Sequence, residues 1–277
     1  MNIAEDAARQ LIDIVRRAAR EEILPRFRML DPQAIEAKSA PDDLVTIADK
    51  NAEALMTREV AKCFPNATVI GEEAVAENAS LLDRIQDAEM AVIIDPVDGT
   101  WNFARNLNQF GVIMAVVSGG ETVFGLLYDP LMDDWVTASR GEGAWYGRAD
   151  GTRRRLQVSD TTRVAKMVGS TSLRLFPQDT QYELAGLLPD FGRMMFFGCA
   201  CHEYRTMAFG FVDFMLTAKL MPWDHAAGVL IHQEAGGYAA LLDGSPYRPT
   251  LQQGRMIAAN SRESWEVLRE KLDFLAP

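Results

Sequence analysis

The 277-residue sequence predicts a layered α/β molecule in which helices stack on sheets. Three observations carry that expectation. Residues 90–94, Met-Ala-Val-Ile-Ile, form an uninterrupted apolar run of strand length, as in a strand buried on both faces. From Phe110 to Val158 the pattern turns to short strands separated by Gly- and Asp-rich turns, which reads as an antiparallel meander. Beyond residue 160, strand-like runs alternate with helical ones. The boundaries predict one unit in two halves: residues 1–158, with two helices and a largely antiparallel sheet, and residues 159–277, an α/β half.

Taken in order, residues 4–24 place Ala7, Ala8, Leu11, Ile12, Val15, Ala18, Ala19 and Ile23 on one helical face, and Pro25 stops the run. Residues 26–42 read as irregular. Thr46-Ile47-Ala48-Asp49 has the spacing of a capping box and opens a helix to about Phe64. Val69-Ile70 is a short strand leading into Gly71-Glu72-Glu73, and 81–88 connects to the central strand. The meander strands are 110–117, 122–128, 135–139 and 144–146. In the second half 164–169, 194–197 and 212–217 read as strands. Helices are expected around 179–187, from about Gly198 to Gly210, and from Pro222 to Gly236. Residues 256–259 form a last buried strand, and Ser261 caps a final helix.

Hydrophobic residues make up 48% and charged residues 24%, an ordinary soluble profile. A net charge of −11 argues against non-specific nucleic-acid binding, which needs a basic surface. It leaves room for an anionic substrate, because bound cations invert the local field. Cys63, Cys199 and Cys201 form no framework of pairs and no Cys-x-x-Cys, which fits a reducing cytoplasm and small buried apolar roles. The N-terminus reads as a charged amphipathic helix rather than a signal peptide, and no apolar run reaches the ~18 residues of a membrane span.

The central run ends in Asp95-Pro96-Val97-Asp98-Gly99-Thr100. Pro96 biases Asp95 to an extended conformation, which puts Asp95 at the carboxyl end of the strand and Asp98 in the turn that leaves it. Two close carboxylates repel unless a cation or proton intervenes, and oxygen-only ligands suit Mg²⁺. Gly99 and Thr100 offer backbone N–H groups to an anion. The same residues also suit an Asp-rich turn capping a helix.

This stretch resembles the central motif of the inositol monophosphatase family, Mg²⁺-dependent, lithium-sensitive phosphomonoesterases. Gly71-Glu72-Glu73 upstream, Trp223-Asp224-His225-Ala226-Ala227-Gly228 downstream and the segment from Lys38 to Asp49 resemble further family signatures in the same order. The resemblance runs from about residue 5 to the C-terminus. It implies a five-layer αβαβα sandwich and a homodimer. It implies two or three Mg²⁺ ions per site, held by Glu72, Asp95, the Val97 carbonyl, Asp98 and Asp224, with Asp95 bridging. Phosphate would lie against the Gly99 and Thr100 amides. Thr100, hydrogen-bonded to Asp49, would orient the water that attacks phosphorus in line. Glu72, Thr100 and Asp49 are thus the implied catalytic residues, and the substrate a small phosphorylated polyol such as inositol 1-phosphate. Lys38 would sit in a loop over the site.

Each acid also has a plainer role open to it. Asp49 suits a helix cap, Glu72-Glu73 a solvated pair, and Asp224, after Pro-Trp, an N-cap worth ~1 kcal/mol. His202, His225 and His232 show no zinc-ligand spacing and fit helix surface or core. Two alternatives stay open: a relative acting on histidinol phosphate, adenosine 3′,5′-bisphosphate or fructose 1,6-bisphosphate, and a metal-binding regulatory protein on the same scaffold. Trp101, where nucleotide- and histidinol-type members tend to carry Lys, leans toward the inositol type, although packing at the helix start explains it equally. One position departs from the family pattern. Inositol-cleaving members carry an acid seven residues before the Trp-Asp aspartate; here Thr217 stands there, with Lys219 two residues on. Asp98, Ala200 and Thr217 are the expected substrate contacts.

Overall fold

The computed structural model describes residues 3–31, 35–37 and 44–276. Helix α1 (Glu5–Ala18) buries Leu11, Ile14, Val15 and Ala18 and carries acids in its first turn and arginines in its last, the signs that suit its dipole. It runs on through a π-helical turn, Ala19–Ile23, and a 3₁₀ turn, Leu24–Arg26. Helical turns therefore pass through Pro25 and end at Arg26, two residues beyond the expected last residue, 24. Strands β1 (Ile35–Ala37) and β2 (Leu44–Thr46) pair as an antiparallel hairpin within what reads as irregular sequence. Lys38 lies outside the described residues. Helix α2 (Ile47–Cys63) starts at the expected capping box: Thr46 Oγ1 accepts from the Ala48 N–H and Asp49 accepts from the Thr46 N–H. Cys63, expected to be buried, is exposed at its end, whereas Cys199 and Cys201 are buried.

Strand β3 (Thr68–Gly71), helices α3 (Glu72–Glu77) and α4 (Arg84–Asp87), strand β4 (Ala91–Asp98) and helix α5 (Thr100–Ala104) follow. Then come β5 (Gly111–Ser118), β6 (Glu121–Asp129), β7 (Asp134–Ser139), β8 (Ala144–Arg148) and β9 (Arg153–Arg155). Strands β3 to β9 form one seven-stranded sheet in sequence order, parallel only between β3 and β4. The second half supplies β10 (Val168–Thr171), α6 (Gln178–Leu187), β11 (Arg193–Met195), α7 (Ala200–Ala208), β12 (Phe214–Lys219), α8 (Pro222–Glu234), β13 (Tyr238–Leu241), β14 (Gln253–Ala259) and α9 (Arg262–Lys271). Its strands form a five-stranded sheet ordered β11-β10-β12-β14-β13. The stretch expected as a strand from residue 164 begins as a 3₁₀ turn and becomes strand only at Val168.

Alternation along β4 explains the stacking. Val92 and Ile94 face one apolar cluster with α1 and α2; Ala91 and Ile93 face another with α7 and α8. The second sheet covers the far side of α7 and α8, and its outer face packs on Trp265 and Leu268 of α9 and Leu184 of α6. The order is helix, sheet, helix, sheet, helix, the five-layer sandwich. The central helical layer sits very close to its neighbours. A Cβ at Gly125 in β6 would lie 2.7 Å from the Ala227 carbonyl oxygen of α8, and one at Gly228 would lie 2.0 Å from the Tyr204 ring of α7. Interiors packed at crystal-like density leave no slack for either methyl.

Candidate active site

The acids meet where β4 breaks register. Asp95 pairs opposite Ile113 and Asp98 opposite Gly111, with Pro96 and Val97 in the irregularity between them. A proline lacks the N–H a regular ladder needs, and a bulge is where a central strand tolerates one. The strand therefore runs on to Asp98 instead of ending at Asp95 as expected. Asp95 Oδ1 accepts from the Val97 N–H at 3.1 Å, fixing its side chain against the bulge. Gly99 follows at φ +86°, and a Cβ there would lie 2.8 Å from the Gln109 carbonyl oxygen, so the turn into α5 needs glycine.

Asp224 arrives from the central layer. It is the third residue of α8, which opens at Pro222, so it does not cap the helix; Met221 holds that position with no side-chain bond. Carboxylate oxygens of Asp95, Asp98 and Asp224 all lie within 4.8 Å of one another. Burial pushes the Asp95 carboxyl well above its usual range, and the charges of Glu72, Asp98, Asp224 and Asp49 push it further. Burial, then Asp224, raises Asp98 to about 7, against the pull of the Cys201 N–H and the Cys199 thiol, both of which donate to it. Glu72, first residue of α3, stands outside the trio yet is the strongest neighbouring charge on Asp95.

Asp49 faces the same place from α2. Its Oδ2 accepts from Thr46 N at 2.9 Å and from Thr46 Oγ1 at 2.5 Å. Its Oδ1 lies 3.0 Å from Thr100 Oγ1, which is also 2.9 Å from the Val97 carbonyl oxygen. Capping and the contact with Thr100 thus use different oxygens of one carboxylate. Burial raises Asp49 to about 7 although the Thr46 hydrogen bonds lower it.

Beside the trio opens a cavity of about 630 Å³ lined by Asp98, Trp101, Ala200, Glu203, Thr217, Lys219, Arg174 and Asp224 among others. Ala200 and Thr217 line its wall. Trp101 is 42% exposed, with the Arg105 guanidinium 4.1 Å over its ring. The histidines keep away from the acids as ligands. His225 lies between Tyr204 Oη at 2.9 Å and the Lys219 carbonyl at 2.7 Å, His232 Nε2 is 2.7 Å from the Ala259 carbonyl, and His202 Nε2 is 3.0 Å from that of Phe110.

Three residues escape a reading of the sequence alone. Glu53 accepts from the Glu73 and Ala74 N–H groups, both at 2.8 Å, and so anchors the start of α3 beside Glu72. Gly71 makes room for it: a Cβ there would lie 2.1 Å from Glu53 Cδ. The legible signal was the four-residue spacing from Asp49 on one helix. Asn102 Nδ2 donates to the carbonyls of Gln109 at 2.7 Å and Phe197 at 2.8 Å, tying α5 to the cavity wall. Glu203 follows Ala200 by three residues, hence on the same face of α7.

A layered αβαβα fold with an oxygen-donor acidic centre at a broken strand defines a class of phosphatases. The family model for the inositol monophosphatase family matches residues 3–275, and the chain belongs to that family. It is similar to the inositol-1-monophosphatase of Bacillus subtilis, 31% identical over 245 residues that cover 88% of this chain and 89% of the relative. It is also similar to the Nus factor SuhB of Escherichia coli, 33% identical over 252 residues covering 88% and 89%. Among solved structures it superposes on an IMPase of Thermotoga maritima with a TM-score of 0.82 at 25% identity, covering 98% of both chains.

Proposed function

We propose that the chain is an Mg²⁺-dependent phosphomonoester hydrolase acting on inositol 1-phosphate and similar small polyol phosphates. The carrying observation is the Asp95–Asp98–Asp224 trio beside the Thr100–Asp49 hydrogen bond. The donor set fits Mg²⁺: it is all oxygen, and it crowds like charges that a hard dication neutralises. Asp95, Asp98 and Asp224, with Glu72 and the Val97 carbonyl, would hold the ions. When bound, Mg²⁺ lowers the pKa of water and neutralises charge on the attacking and leaving oxygens.

The chain's own groups do the positioning. The amides of Gly99 and Thr100 receive the phosphate. Thr100 donates its hydroxyl proton to Asp49, which turns the lone pairs of Oγ1 toward a water and aims that water at phosphorus, in line with the leaving alkoxide. Asp49 is held for this by Thr46 and needs no proton transfer of its own. Ala200, Thr217 and Asp98 face the substrate's alcohol. Lithium sensitivity, a homodimer and a cytoplasmic location belong to the same reading; among the described residues no helix is long and apolar enough to cross a membrane.

A second reading rests on the 33% identity to a protein named for a Nus factor: the acids hold a cation for a regulatory role, without turnover. Measuring phosphate release from inositol 1-phosphate with Mg²⁺ and with chelator separates the two. Chelator-sensitive release is expected. Cation binding with no release from any phosphomonoester would favour the regulator.

A further inference from the structure

The cavity lacks an acid at Thr217, and the Thr217 hydroxyl is turned to its own chain: Oγ1 lies 3.2 Å from the Lys219 carbonyl oxygen, to which it donates. A substrate hydroxyl meeting Thr217 finds only a neutral oxygen. Glu203 lines the same cavity from α7, one helical turn beyond Ala200. Its Oε1 accepts from Ser170 Oγ of β10 at 2.7 Å, and the Phe197 backbone also hydrogen-bonds it. A carboxylate offers about four lone-pair sites. Two tethers therefore fix its rotamer and leave acceptor capacity toward the cavity. A carboxylate oxygen accepts from hydroxyls and offers no donor to phosphate oxygens, so its complement is the alcohol half of the ester.

We propose that Glu203, positioned by Ser170, is the residue that reads substrate hydroxyls in this protein, in place of the acid absent at Thr217. The proposal rests on the phosphomonoesterase reading and names its specificity determinant. Loss of one charged hydrogen bond, worth about 1.5–3 kcal/mol, corresponds to about 10- to 100-fold in selectivity. The test compares inositol 1-phosphate with phenyl phosphate, whose alcohol half has no further hydroxyl, at saturating Mg²⁺. Glu203→Gln should lower the ratio of their kcat/KM values about 10- to 100-fold, through KM for inositol 1-phosphate rather than kcat. Ser170→Ala, which removes one tether and no charge, should move the ratio the same way by less. Adding Thr217→Glu to Glu203→Gln should restore part of it. An unchanged ratio in Glu203→Gln, or equal losses on both esters, overturns the proposal; if Glu203→Gln fails to fold, an unchanged ratio in Ser170→Ala does so. Wild-type protein that cleaves neither ester would instead overturn the phosphatase reading, and this proposal with it.

Discussion

At the scale of the residue, Asp49 serves Thr46 with one oxygen and Thr100 with the other, which on the proposed function links folding to chemistry. Thr100→Ala should therefore lower kcat about 10²- to 10³-fold, as expected for loss of a positioning group, with Mg²⁺ affinity changed only a few-fold. Asp49→Asn should resemble it in kcat and also lose about 1 kcal/mol of capping stability. The double variant should be little worse than either single one; losses that multiply fully would break the dyad. Asp95→Asn removes charge from the most crowded carboxylate while leaving its volume. It should abolish activity and raise the melting temperature of metal-free protein. Activity kept within about 3-fold, under ~0.7 kcal/mol of barrier, would refute a bridging role. Asp49, Thr100 and the acids of the trio were legible because each sits in a short motif with a local physical meaning. Glu53 and Glu203 were not, because their partners, Ala74 and Ser170, lie 21 and 33 residues away.

At the scale of the element, the start of α3 depends on a contact that only glycine permits. Gly71→Ala would push the Glu53 carboxylate off the Glu73 and Ala74 N–H groups. Stranding the buried Glu53 carboxylate should cost about 1–3 kcal/mol and weaken Mg²⁺ binding through Glu72. Thermal melts and Mg²⁺ titration check this; wild-type values in both would show that Glu53 is dispensable. The long apolar strands and the amphipathic helices were legible from periodicity. Four short strands, β1, β2, β9 and β13, were not. Arg153–Arg155 has no alternation and joins the sheet by backbone pairing with β8, its Arg153 guanidinium 4.1 Å over the Trp145 ring. Tyr238–Leu241 has two alanines at its centre, too small to mark a strand. Asp224 also suits a cap by residue type, and the placement of Pro222 at the first helical position moves it inward to the cluster.

At the scale of the whole molecule, five carboxyls, Asp49, Glu53, Asp95, Asp98 and Glu203, are all raised, first by burial; Asp49, Glu53, Asp98 and Glu203 reach about 7. Unfolded carboxyls titrate near 4. Between those values the folded chain holds protons that the unfolded chain has released. The stability this contributes is complete below about pH 4 and is lost as pH rises through 7, by about 1.4 kcal/mol per pH unit for each group that differs. Metal-free protein should thus melt higher at pH 5.5 than at pH 8, and saturating Mg²⁺ should narrow the difference through Asp95 and Asp98. A melting temperature that rises with pH in chelator would contradict the crowding of these acids. The layered architecture was legible because both faces of β4 are apolar; the tight seating of the central helices was not, since Gly125 and Gly228 acquire their meaning only against Ala227 and Tyr204.

The acidic centre and its cavity draw on four successive layers: Asp49 from the outer helices, Asp95 and Asp98 from the first sheet, Asp224 and Glu203 from the central helices, Thr217 from the second sheet. No single layer carries a usable fraction of it. The second sheet is completed only by β14, which pairs between β12 and β13 and follows every residue of the site in the chain. On the proposed function, a misassembled copy is therefore silent rather than promiscuous, and hydrolysis is itself a certificate that the layers are stacked.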